Sequence, residues 1–156
     1  MPSAVARGPI TTYVLQQLEA EGFPVGDNGA PDDDYGWSGE PNSPDSVFTP
    51  WMTAAALTAR PQRPAGTFDD TTMDWLLPYN IFYAGLSRRH CEALADRMRD
   101  RFVNISRVDI ATENGTWRIQ QFQCTTIGGS NKISSAFPDY YSQADTFDVW
   151  VTKRRS

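Results

Sequence analysis

The chain has 156 residues, of which 40% are hydrophobic and 21% charged, with five Trp, six Tyr and eight Phe. That length suits one domain around one core, and the apolar and aromatic share excludes a disordered chain. A formal net charge of −5 argues against generic binding to nucleic acid or to an anionic membrane.

The opening residues Met1 to Arg7 hold no apolar run of signal-peptide length. No stretch approaches the length of a membrane span. A soluble protein that matures without export is therefore expected. The first element is a helix over about 9–21. Pro9 suits a first helical turn, Ile10, Val14 and Leu18 recur at four-residue spacing, and Gly22 is the stop. Residues 24–50 follow with Pro24, Pro31, Pro41, Pro44 and Pro50, six acids and no Lys or Arg. No periodicity survives there, so the span reads as one long acidic Pro/Gly-rich loop. Loops of that length are commonly functional. Tyr35, Trp37, Val47, Phe48 and Trp51 give it apolar anchors, which favour docking, a neighbouring subunit being one candidate surface.

Pro50 and Pro61 bracket a first strand, Trp51 to Ala59, and Pro61 to Asp70 reads as a connection. Trp75 to Ala84 is a stronger strand, with Tyr79, Ile81 and Tyr83 alternating with Asn80, Phe82 and Ala84. Ser87 is a good N-cap for a second helix. Its Cys91, Leu94, Ala95, Met98 and Phe102 fall on one face, and the Arg88–Glu92 and Asp96–Arg99 spacings predict a solvated, charge-paired face. Arg107 to Thr112 and Thr116 to Thr125 flank Glu113-Asn114-Gly115, a strong hairpin signal. Ile127-Gly128-Gly129-Ser130-Asn131 breaks the ladder, Thr146 to Thr152 is a last strand, and Lys153, Arg154 and Arg155 end the chain as a basic tail. The expected fold is α+β in the order αββαβββ, a mostly antiparallel sheet with two helices on one face, in a single domain 1–156.

Charge is unevenly distributed. Residues 1–75 hold eleven acids against three bases (Arg7, Arg60 and Arg63), and residues 76–156 hold eight acids against eleven bases. That polarity suits head-to-tail assembly.

Catalytic groups are sparse. His90 is the single histidine, and its neighbour Cys91 points about 100° away around a helix, so the two form no nucleophile–base pair by adjacency. Cys91 and Cys124 read as buried free thiols. Asp32, Asp34, Gly36, Ser38 and Glu40 alternate like a calcium loop without matching its spacing. Gly26-Asp27-Asn28-Gly29 and Gly128-Gly129-Ser130 lack the strand–loop–helix context of a phosphate cradle. No cofactor, no metal and no enzymatic activity are expected. The surplus of aromatics, with Trp37, Trp51, Trp75 and Trp150 among them, fits either a protein–protein interface or simply the core.

Four segments resemble the tail terminator proteins of long-tailed phages, particularly those of actinobacteria. The helix Pro9 to Glu21 leads into Phe23-Pro24-Val25-Gly26-Asp27, like that family's short helix and PVGxG stretch. Trp51–Ala59 and Pro78-Tyr79-Asn80-Ile81-Phe82-Tyr83-Ala84-Gly85 look like its central strands. Glu92-Ala93-Leu94-Ala95-Asp96-Arg97-Met98-Arg99 is similar to its ExLADRVR helix, and Asp139-Tyr140-Tyr141 to Phe147-Asp148-Val149-Trp150-Val151 to its closing strand. The acidic segment 27–50 departs from the family by expansion.

The resemblance implies a hexameric ring in the virion at the head–tail junction, made in the host cytoplasm. Such a ring caps the tail tube, stops its polymerisation and presents a surface to the head–tail connector protein. DNA would pass through its acidic lumen without sequence reading, and no membrane is involved. Ring contacts are expected from the loops around 31–50 and 60–74, with Tyr35, Trp37, Phe48, Trp51, Arg63 and Phe68 as the interface residues. Another phage neck or head-completion ring is the nearest alternative. A small ligand-binding regulatory domain is a more distant one, and an enzyme using Cys91 or Cys124 more distant still.

Overall fold

The computed structural model describes residues 5–32, 34–38, 44–62, 74–133 and 139–154. In chain order the elements are α1 (Arg7–Glu19), β1 (Val25–Asp27), β2 (Gly36–Ser38), β3 (Val47–Thr49), β4 (Trp51–Ala56), β5 (Arg60–Gln62) and β6 (Asp74–Gly85). Then come α2 (Arg88–Val103), β7 (Val108–Thr112), β8 (Gly115–Ile127), β9 (Asn131–Ile133) and β10 (Tyr140–Lys153). Eight strands make one sheet in the order β1-β4-β6-β10-β8-β7, with β5 beside β6 and β9 beside β10, while β2 and β3 form a separate hairpin. All pairings are antiparallel except β1 with β4, which is parallel, so the sheet is mixed.

Long strands form its centre. In β6, Tyr79, Ile81 and Tyr83 are buried on one face, and the register sets Met52 and Ala54 of β4 beside Tyr83 and Ile81 on that face. Phe147, Val149 and Val151 of β10 and Trp117, Ile119 and Phe122 of β8 continue it. Both helices cover this face. Ser87 caps α2 by accepting from the His90 N–H at 3.1 Å, and the buried stripe Cys91, Leu94, Ala95, Met98 and Phe102 follows from the 3.6-residue period. Phe102 stacks on Phe122 at 4.9 Å and meets Phe147 at 5.1 Å. Each fully buried side chain of this size contributes about 1.5–3 kcal/mol. Gly85 permits the tight β6–α2 junction, since a Cβ there would lie 3.1 Å from the Cys91 backbone N and Sγ.

Helix α1 has no side-chain N-cap and buries Ile10, Val14 and Leu18. Arg7 fastens its start instead. The guanidinium donates to the Leu57 and Pro78 carbonyls and lies over the Tyr79 ring, whose hydroxyl is 2.8 Å from Thr11 Oγ1. Gly22, at φ 87°, turns the chain out of the helix. Because α1 touches β1, β4 and β7, strands from both margins, the sheet curls around it.

The expected order αββαβββ is corrected: six strands precede α2 and four follow it. The additional strands β1, β2, β3, β5 and β9 have three residues each, too few for a two-residue alternation to register. They depend on neighbours already in place, and Pro or Gly beside them masks them further. Residues 24–50 are correspondingly not one unstructured loop. The proline inside β6 has its own reason. Pro78 lies between the part of β6 that pairs with β4 and the part that pairs with β5, and its carbonyl accepts from Leu57 N at 2.9 Å. Its missing N–H faces that interruption, where no ladder bond is lost.

Candidate interaction surface

On its second face, the sheet presents the side chains that alternate with the core. Trp51 opens β4, opposite Ala84, and packs on Phe82 of β6 with ring centroids 5.0 Å apart. The β2–β3 hairpin lies over this pair. Tyr35 meets Trp51 edge-on at 4.9 Å, Trp37 meets Phe48 at 5.4 Å, and Phe48 stacks on Tyr140 of β10 at 5.9 Å. Trp37 Nε1 donates to the Asp139 carbonyl at 3.3 Å, and Ser46 Oγ to the Ser38 carbonyl at 2.9 Å. Edge-to-face pairs of this kind contribute about 0.5–1.5 kcal/mol each beyond the area they bury. Gly36, at φ 69°, lets the chain turn into β2 above the Trp51 ring.

Four of the expected interface residues, Tyr35, Trp37, Phe48 and Trp51, thus come together in one aromatic cluster. Arg63 and Phe68, and most of the 60–74 connection, lie outside the described residues. Phe82 and Tyr140 complete the cluster and were missed. Phe82 is legible as an off-face position of a strongly alternating strand, whereas Tyr140 precedes the alternation that marks the last strand from Thr146 and enters it only through the resemblance of 139–151 to a closing strand. The cluster is not sealed: Tyr35 is 40% and Val47 60% exposed. Exposed Asp27, Asp32 and Asp34 lie on β1 and along the chain leading to β2.

The acid-rich half supplies β1, which ends on exposed Asp27, with β4 and β5, and the basic half supplies α2 and the β10, β8 and β7 side. The two halves meet where Glu21, just past α1, pairs with Arg97 and Arg101 of α2. At the β7 margin Arg107 precedes that strand, and Arg118 and Arg154 share Asp109 at 2.8 and 3.5 Å. A shallow groove of about 550 Å³ near that margin is lined by Asp74, Arg107, Gln120, Gln121, Trp150 and Thr152. Trp150 is 39% exposed within it, while Trp117 is the tryptophan that fills the core.

The polar interior lies on the other face. Asp145 of β10 is fully buried and bonds Arg99 Nη1 of α2 at 2.7 Å. Gly128 N and Gln143 Nε2 donate to its other oxygen at 3.2 and 3.4 Å, and Ser130 bonds Gln143 at 3.0 Å. Burial works against the charge of Arg99, and the Asp145 and Asp96 carboxylates outweigh it, so the guanidinium sits above its ordinary pKa. Burial, and then the Asp145 charge, raises the Tyr83 hydroxyl.

Neither thiol is activated. Burial pushes Cys91 up to about 11, and its Sγ donates to the Tyr141 carbonyl at 3.1 Å; burial also raises Cys124. At neutral pH both hold their protons, and the thiolate is the nucleophile. His90 is exposed on the first turn of α2. Among the described residues no group of three His, Cys, Asp or Glu is placed to hold a metal ion, and no helix is long and apolar enough to cross a membrane. On the surface the described residues present an aromatic-braced hairpin, exposed Asp27, Asp32 and Asp34 at and after β1, and Arg107, Arg118 and Arg154 about Asp109. In comparisons with known proteins, no family model and no curated protein matches the chain.

Proposed function

We propose that this chain is a structural subunit without catalytic activity that closes head to tail into a ring. As a ring of the tail-terminator kind, it caps a phage tail tube and joins it to the head–tail connector. The observation that carries this reading is the placement of charge on the sheet, with exposed Asp27, Asp32 and Asp34 toward one margin and, at the other, exposed Arg107 beside Arg118 and Arg154, which share the single Asp109. A heterologous contact needs two different complementary surfaces on one subunit, and repeating it closes a ring when the rotation fits. Like margins repel in the wrong orientation, which gives the contact its direction. The resemblance of four segments to tail terminators supplies the biological role and a copy number of six. The acidic stretch 24–50 also suits a lumen through which DNA slides without adhering.

Solution mass with negative-stain imaging, at about 50 mM and 500 mM salt, tests this reading, since exposed charges are screened within about 10 Å at 0.1 M. A closed ring at low salt that dissociates at high salt, and that seats on the ends of tail tubes, is the expected result. A monomer at every concentration that also ignores tube ends overturns it.

A further inference from the structure

Every open sheet has edges whose unpaired N–H and C=O groups can capture another strand, and folds blunt those edges with short strands, charge or proline. Most edges here are blunted in this way. β1 has three residues and ends on Asp27, β5 holds Arg60 and Pro61, and β7 carries Asp109 among five residues. β8 differs. It spans Gly115–Ile127, yet β7 covers it only from Gly115 to Ile119. Beyond that point β10 occupies one side, and among the described residues no strand occupies the other. From Ile119 to Asn131 the sequence has neither a charged residue nor a proline. Gln121, Gln123, Thr125, Thr126 and Ile127 are exposed, Ile127 to 63%.

This edge is also held rigid from behind. Gln121 to Cys124 pair in unbroken register with Trp150 to Phe147, bracketed by bulges in which Gln120 and Thr125 are the extra residues. Phe122 is 5% exposed against Phe102 of α2. A pre-ordered edge loses little entropy on pairing, and backbone bonds supply the affinity.

We infer that the Gln121–Ile127 edge of β8 accepts a strand from a second copy of this chain, continuing the sheet from subunit to subunit. The inference rests on the self-assembly proposed above and names its contact. Two features select a second copy over an unrelated peptide. The edge carries no charge with which to attract a foreign strand. Exposed Arg107, which lines the same groove as Gln120 and Gln121, stands beside the edge, and exposed Asp27 at the end of β1 with Asp32 and Asp34 after it is the electrostatic complement on the same chain.

The experiment compares the intact protein with the double variant Gln121→Glu, Gln123→Glu, whose two positions are exposed on the face away from the helices and whose added acids repel the acidic β1 margin. Solution mass, melting temperature and hydrogen exchange over residues 120–127 are measured at concentrations above and below assembly. The expected result is an assembled wild type whose outward-facing amides in 120–127 exchange at least about tenfold more slowly than in the dissociated chain. The variant is expected to melt within a few degrees of wild type and to remain monomeric. An assembled wild type with no added protection in 120–127 overturns the edge contact and leaves the ring reading standing. So does a folded variant that assembles as wild type does. A wild-type dimer protected over 120–127 supports the edge and overturns the ring. A wild-type monomer at every concentration overturns both.

Discussion

Replacing Arg99 with Met is expected to cost far more stability than removing any surface ion pair of α2. Asp145 has no exposed surface, and Arg99 Nη1 is 2.7 Å from its Oδ2 with 19% of the arginine side chain exposed. Met keeps most of the aliphatic volume and deletes the charge, leaving a buried carboxylate with two neutral donors, Gly128 N and the Gln143 amide. Breaking a buried pair in this way costs about 3–5 kcal/mol. For a domain of this size each kcal/mol moves Tm by about 2–4 °C, so a fall of about 6–20 °C is expected. Arg88 provides the control. Its bond to Glu92 is 3.0 Å long, but the two side chains are 64% and 44% exposed. Arg88→Ala should therefore cost no more than about 0.5 kcal/mol. The assay is urea unfolding of wild type, Arg99→Met, Asp145→Asn and the double variant. The double variant removes both charges together and should be less destabilised than the sum of the singles by about 1–3 kcal/mol. Strict additivity, or an Arg99→Met no weaker than Arg88→Ala, would refute the claim that this pair is what makes the polar interior tolerable.

Other outcomes follow from the same geometry. Phe102→Ala removes the ring wedged between Phe122 and Phe147 and should lower stability by about 3–5 kcal/mol in denaturant titration. Gly128→Ala would drive a Cβ into the Ala144 carbonyl oxygen at the β8–β10 junction, so it should cost well over 1 kcal/mol, whereas Gly129→Ala, with open space around it, should be mild. Above pH 9 the Cys91 thiol, pushed up to about 11 by burial, stays protonated in the fold while the unfolded chain loses that proton. The unfolded state then binds fewer protons, so stability falls as pH rises from 9 to 11 and is restored on return; a Tm flat across that window contradicts this. Trp51→Ala removes the ring that Tyr35 and Phe82 contact and should loosen the β2–β3 hairpin. The chain has no Lys or Arg between residues 8 and 59, so limited chymotrypsin digestion, cutting at Phe48 and Tyr35, is the readout.

How far the fold could be read from the sequence depended on whether each element carries its own signal. α2 has a capping serine and a complete apolar stripe, and the β7–β8 turn has Asn-Gly, so both stood out before any tertiary contact was known. The aromatic anchors of the 24–50 segment were legible as things that must dock. That Phe82 and Tyr140 are their partners is not legible, because an aromatic cluster on the second face of a sheet has no period within one strand. β10 shows the limit best. Its second half, Phe147 to Val151, alternates, while its first half joins the closing strand only through the resemblance and carries no apolar alternation, although Ser142, Gln143 and Asp145 are buried. Hydropathy reads three polar residues as solvent-facing. Gln143 and Asp145 lie inside because α2 brings Arg99 and the β8–β9 turn brings Gly128 and Ser130 to meet them. A buried polar group is stable only when partnered, and apart from the bond between Gln143 and Asp145 the partners here lie on other elements. The six residues Tyr140 to Asp145 are therefore strand by tertiary consent, which is why removing Arg99 should be felt along β10 as well as in α2. Amide exchange in Arg99→Met should accelerate first from Tyr140 to Asp145, while Phe147 to Val151, held by their own apolar alternation, keep their protection.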